Sequence, residues 1–142
     1  APGDDANIPD NEALYRRLSD DSPNMEVVDA LSGARRPSSR AFKPDDDGVS
    51  VYRESVLQGR GLTAADVVVR PGNLVVSLPV RAVRAISLGV SDDPWPRDIP
   101  DPDHPRNAAH ALIIGWDGLG KSARRQRQRA LSELPSLRFV FP

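Results

Sequence analysis

Cysteine is absent from the 142-residue chain. That excludes disulfide staples, a thiol nucleophile and every thiolate metal site. Aromatic residues make up 5 % against 39 % hydrophobic residues overall, so the core must be modest and aliphatic. No apolar run approaches the ~20 residues that a membrane span needs, and no membrane partner is expected. The opening Ala1-Pro2-Gly3-Asp4-Asp5 is acidic and polar, unlike a signal or transit peptide, so the expected setting is soluble and cytoplasmic. Net charge is nearly missing too. The 19 Lys+Arg meet 20 Asp+Glu, a formal −1, which gives no overall attraction to nucleic acid or acidic lipid. Lysine is scarce beside arginine, and frequent Ala, Asp, Pro and Val give a usage that resembles the coding bias of a high-GC bacterium.

Proline is what the chain has in quantity. Its 14 prolines and 10 glycines exclude long uninterrupted helices, and the length fits one ordinary domain. Charge is polarised along it: residues 1–50 hold 11 acids and 6 bases, and residues 121–142 hold 1 and 6. Residues 1–9 are expected to be a disordered lead and 10–142 the domain. Asp10 fits the N-cap of a short helix to about Asp21, with Leu14, Tyr15 and Leu18 at helical spacing. Met25 to Val28 fits a strand or a helical turn, and residues 32–48 read as a loop. Val49 to Tyr52 alternates as a strand, after which Arg53 to Leu57 fits either more strand or a helix. Thr63 caps a turn over Ala64 to Val67. Asn73 to Leu78 is a strand, and Pro79 opens a helix with Val80, Val83 and Ile86 inward. Residues 91–107 hold five prolines and read as a long extended loop. Ala109 to Trp116 is a buried strand, Lys121 to Leu134 a basic helix, Leu137 to Phe141 a closing strand. The pattern predicts an α+β fold: a compact single domain of short strands and short helices with a long Pro-rich loop.

One motif is formally complete. Gly115-Trp116-Asp117-Gly118-Leu119-Gly120-Lys121-Ser122 matches G-x-x-x-x-G-K-[ST] between an apolar strand and a helix. In a nucleotide-binding loop the backbone N–H groups wrap a phosphate, the Lys neutralises it and the hydroxyl ligates Mg²⁺. Such a loop needs a parallel sheet whose later strands order the metal, and the 20 residues after Ser122 hold one helix and one strand. The expectation is therefore a plain strand-to-helix turn. Lys121 and Ser122 remain candidates for a bound anion, and no cofactor is expected. The helix itself packs Lys121, Arg124, Arg125, Arg127 and Arg129 into nine residues. Arg124, Arg125, Gln128 and Arg129 on its outer arc are the candidates for a protein partner or a nucleic-acid backbone. No aromatic is interleaved to stack bases, and the face equally suits the acidic front of the chain.

Arg35 to Lys43 concentrates bases and hydroxyls in a loop. Arg36, Ser38, Ser39 and Lys43 are groups that hold phosphate or carboxylate oxygens. The plain alternative is a loop in which Phe42 anchors the core and Ser38 or Ser39 caps the next turn. Both histidines, His104 and His110, sit near Asp101 and Asp103 across a loop–strand junction. That spacing puts them on no common face, so no metal site is expected. His110, on the rigid end of a strand, is the one candidate acid/base.

R-P-S-S-x-A-F at Arg36 to Phe42, the pair Ser50-Val51, H-A-x-I-x-G at His110 to Gly115 and the basic helix together resemble a family of small bacterial proteins without an assigned activity. The resemblance implies that the Arg36–Phe42 loop and the His110 strand form one site. It also implies that the glycine–lysine turn need not be a full nucleotide loop. The expected function is a small bacterial accessory domain that binds a protein partner, without catalysis of its own. Two alternatives stand beside it. One is an enzyme or sensor for an anionic small molecule, with the Arg36–Lys43 loop as grip and His110 as acid/base. The other is nucleic-acid binding through the Arg-rich helix.

Overall fold

Six apolar segments pair into one antiparallel sheet in a computed structural model that describes residues 3–21, 23–94 and 103–142. The strands are β1 (Ala13–Ser19), β4 (Val49–Arg53), β5 (Asn73–Pro79), β6 (Gly89–Asp92), β7 (His110–Ile114) and β8 (Arg138–Phe141). Their order across the sheet is β6-β7-β4-β1-β5-β8. β2 (Met25–Asp29) and β3 (Ala34–Pro37) form a separate two-stranded ribbon. Three short helices complete the described residues: α1 (Glu54–Gly59), α2 (Val80–Ala85) and α3 (Lys121–Ser132). The fold is α+β, as the mixture of short periodic segments predicts.

Both faces of the sheet are covered, and strand alternation divides them. On β4, Val49 and Val51 join the larger core with Leu14, Val76, Ile113, Phe42 and Leu131. Tyr52 points the other way, into a smaller core with Tyr15, Leu57, Val67, Val75 and Ala109. The larger core lies under α2, α3 and the 3₁₀ turn Ser39–Phe42. The smaller lies under α1 and the 3₁₀ turns Ala64–Val67 and Pro105–Ala109.

Burial on both faces explains the largest departure from expectation. The segment expected as a helix after Asp10 is β1, paired over seven residues with β5. Leu14 and Leu18 feed one core and Tyr15 the other, so the apolar positions lose the alternation that marks a half-buried strand. Arg16 and Arg17 sit mid-strand because backbone carbonyls receive them. Arg16 donates to the carbonyls of Ala41 and Ser50 at 3.1 and 2.9 Å, Arg17 to that of Val67 at 2.8 Å. Burial, helped by the neighbouring Arg17 cation, pushes Arg16 down to about 10.

The expected disordered lead is docked from residue 3 onward. Ile8 is buried in the larger core, the Asp5 N–H donates to the Val90 carbonyl at 2.8 Å, and Arg84 of α2 pairs with Asp4 and Asp10. The loop expected over 32–48 contains β3 and a 3₁₀ turn. Of the Pro-rich loop expected over 91–107, residues 91–92 end β6 and 105–107 begin a 3₁₀ turn, while residues 95–102 lie outside the described residues. Local signals fared better. Thr63 stands at the N-cap of the Ala64–Val67 turn as expected, and its N–H also donates to the Asp66 carboxylate at 2.8 Å; α1 follows β4 directly.

Candidate functional site

The two basic stretches, about eighty residues apart in the chain, converge. The 3₁₀ turn Ser39–Phe42 lies against α3, its Phe42 and Ala41 sunk beside Leu131. The Gln128 amide of α3 donates to the Ser39 carbonyl at 3.0 Å. Between turn and helix runs a groove of about 620 Å³. Its cations are Arg40 and Lys43 from the turn with Lys121, Arg124, Arg125 and Arg129 from α3, and Ser39 and Ser122 add hydroxyls. Only Arg129 among these six forms an ion pair among the described residues, with Glu133 one turn on at 3.3 Å. Arg124 uses its Nε on the Leu119 carbonyl at 3.2 Å, which holds the guanidinium at the groove's rim.

A second cleft of about 220 Å³ adjoins the first and shares Pro44 and Arg124 with it. Its walls carry the opposite charge, from Asp45, Asp46, Asp47 and Asp117. The surface thus changes sign over one rim. No group of three or more side chains placed to hold a metal ion occurs among the described residues.

The structure sorts the expected anion-binding residues. Ser39, Lys43, Lys121 and Ser122 meet in the groove, together with Arg124, Arg125, Gln128 and Arg129. Arg36 does not. It bridges Glu26 at 2.8 Å and Glu133 at 3.2 Å, and the Glu26 hydrogen bond raises its pKa further. Ser38 is buried and donates to the Pro23 carbonyl, tying the turn to the β2–β3 ribbon. Arg40, which sequence reasoning passed over, takes a place in the wall.

The glycine–lysine motif is a strand-to-helix turn folded inward. Both neighbours of β7 are antiparallel, so it lacks the parallel frame of a nucleotide loop. Trp116 is buried and donates its indole N–H to the Ile113 carbonyl at 2.9 Å. Gly115 and Gly118 take φ of 106° and 78°, conformations that glycine adopts without strain.

His110 lies on the other face of the sheet from the groove, which overturns the single site expected from the loop and the histidine together. The alternation of β4 and β7 places it with Tyr52, whose ring it meets edge-on at 5.6 Å. Its side chain is fully buried. Nε2 meets the Ser50 hydroxyl, and Nδ1 lies 2.8 Å from the Asp93 carbonyl and 3.3 Å from the Asp93 carboxylate. The other histidine, His104, works as a cap and accepts the Arg106 N–H at 3.0 Å. Sequence reasoning missed Ser50 and Asp93 as partners of His110. The sole signal was the strand pairing of β4 and β6 with β7, which a single sequence does not reveal. No protein-family model, curated protein or solved structure matches the chain, so function rests on this geometry.

Proposed function

We propose that this chain is a small bacterial, cytoplasmic binding domain that docks an acidic segment of a protein partner in the groove between the Ser39–Phe42 turn and α3. The observation that carries the reading is the convergence of two distant basic stretches on a groove in which five of six cations lack a carboxylate partner among the described residues. Unpaired like charges gathered along one groove repel each other, and an incoming anionic segment relieves that repulsion. The groove volume of about 620 Å³ suits a stretch of chain better than a lone phosphate. None of the helices among the described residues is long and apolar enough to cross a membrane.

The adjoining acidic cleft favours protein over nucleic acid. A duplex laid along α3 would bring its phosphates toward Asp45, Asp46, Asp47 and Asp117, where like charge disfavours it. A protein partner with an acidic segment next to a basic one matches both signs.

Fluorescence anisotropy with a labelled polyglutamate peptide and a duplex DNA of similar length, at near-physiological salt, tests the proposal. The peptide is expected to bind, and the triple substitution Lys43→Glu, Lys121→Glu, Arg125→Glu to weaken binding at least about tenfold. Tighter binding to the duplex would favour the nucleic-acid reading. Peptide binding unchanged by the charge reversal would remove the groove from consideration.

A further inference from the structure

The face of the sheet opposite the groove carries an arrangement that docking does not use. Three strands build it. β4 presents Ser50 beside Tyr52, β7 presents His110 at its first position, and the chain leaving β6 brings Asp93 alongside. The Asp93 N–H donates to the His110 carbonyl at 3.0 Å, so backbone pairing fixes the aspartate next to the imidazole.

The protonation of that ring follows from its neighbours. Nδ1 faces two atoms that carry no hydrogen, the Asp93 carbonyl oxygen at 2.8 Å and a carboxylate oxygen of the same residue at 3.3 Å. The proton of neutral His110 therefore sits on Nδ1, shared between them. Nε2 keeps its lone pair, and the Ser50 hydroxyl donates to it. This is the tautomer in which an imidazole accepts a serine proton as general base. Two further observations set the cluster apart from a simple cross-strand brace. Ser50 is partly exposed although its backbone lies in the sheet interior, whereas His110 is fully buried, so the serine is the residue of the pair that solvent reaches. Arg17 of β1 lies on the same face, its guanidinium 5.7 Å from the centre of the Tyr52 ring, with no carboxylate partner among the described residues.

We infer that Ser50 is a nucleophile for acyl transfer, activated by His110, with Asp93 as the positioning residue and small carboxylic esters as the substrate class. Ser50 Oγ forms a bond to the ester carbonyl carbon as its proton passes to His110 Nε2. The tetrahedral adduct collapses, the C–O bond to the leaving alkoxide breaks, and Nε2 returns the proton to it as the alcohol. Water then adds to the acyl-serine by the reverse use of the same base, releasing the carboxylic acid and restoring the hydroxyl. The Arg17 donors not committed to the Val67 carbonyl supply positive charge for the developing oxyanion.

Labelling of the whole chain with a fluorophosphonate, in which Ser50 Oγ displaces fluoride from phosphorus, tests this directly. Peptide mapping is expected to find the adduct on Ser50. Asp93→Asn is expected to slow labelling about tenfold with an unchanged far-ultraviolet circular dichroism spectrum, and Asp93→Glu to restore part of the rate. Ser50→Ala controls for the site, while mapping of the unmodified protein does not depend on any variant folding. A folded protein with no adduct on Ser50, or with Ser50 labelled no faster than the exposed Ser122, overturns the inference.

Discussion

The phenol of Tyr15, on β1, donates to Glu54 at the start of α1. Burial raises its pKa most, followed by the hydrogen bond and the carboxylate charge. In the unfolded chain the group ionises near its ordinary value of 10.0. Its contribution to stability is therefore complete below that pH and drains away as pH climbs toward the raised folded value. Ultraviolet titration is expected to show tyrosine that stays protonated beyond the ordinary range until the protein unfolds. Both tyrosines titrating together near the ordinary value would contradict the Tyr15–Glu54 contact. Glu12 poses the same question without a titration. It is buried at 6 % exposure and accepts from Arg53 Nε at 2.9 Å and Ser55 Oγ at 2.5 Å. Glu12→Gln removes the charge but keeps the shape, leaving Asp92 at 3.5 Å as the sole carboxylate partner of Arg53 among the described residues. The expected cost is about 3 kcal/mol in chemical denaturation, and a change near zero would show that solvent reaches the pair.

Elements are held in register by a few positions that admit little else. Gly48 precedes β4 with φ of 126°, and a Cβ there would collide with the Ile113 carbonyl of β7. Gly48→Ala is expected to cost about 3 kcal/mol, from the backbone strain and the collision together. Gly33, at the tip of the β2–β3 ribbon with φ of 73°, has nothing within 4 Å of a built Cβ. Gly33→Ala is expected to cost only about 1 kcal/mol, so equal melting points for the two variants would refute the packing argument. Elements with local signatures were legible in the sequence: β5 between Pro71-Gly72 and Pro79, the turn capped by Thr63, and the basic helix α3 from Lys121. β1 was not, because a strand buried on both faces shows Leu14-Tyr15 and Arg16-Arg17 side by side. Nor was the docking of residues 3–9, which depends on Arg84 lying far along the chain. The site divided in the same way. Each basic stretch was readable alone, while the meeting of Lys43 with Lys121 and of Ser50 with His110 is tertiary, separated by 60 residues in the second pair.

Charge at the scale of the whole molecule decides what the groove needs. A net −1 suggests that the acidic front neutralises the basic end, but the ion pairs run elsewhere. Asp4 and Asp10 answer Arg84, Glu12 answers Arg53, Asp20 answers Arg35 and Glu26 answers Arg36. Glu133 alone touches the cations of α3 among the described residues. Five acids of the front half are thus spent on pairs elsewhere, and Asp45, Asp46 and Asp47 line the adjoining cleft, so no carboxylate of that half pairs with a groove cation among the described residues. A ligand that binds only the folded state stabilises it by mass action. Polyglutamate at about a hundred times its dissociation constant is expected to add about 2.7 kcal/mol, a rise in melting temperature of roughly 5–10 °C. Polylysine is expected to add nothing, and raising the salt to about 1 M, where screening lengths shrink to about 3 Å, to erase most of the polyglutamate effect. The Lys43→Glu, Lys121→Glu, Arg125→Glu variant separates the groove from the rest of the surface. Without ligand it is expected to melt no lower than the parent, since its substitutions remove mutual repulsion among exposed cations and break no ion pair. With polyglutamate it is expected to show no shift. A shift retained in the variant would mean that the field of the whole molecule, not the meeting of the turn with α3, attracts the anion.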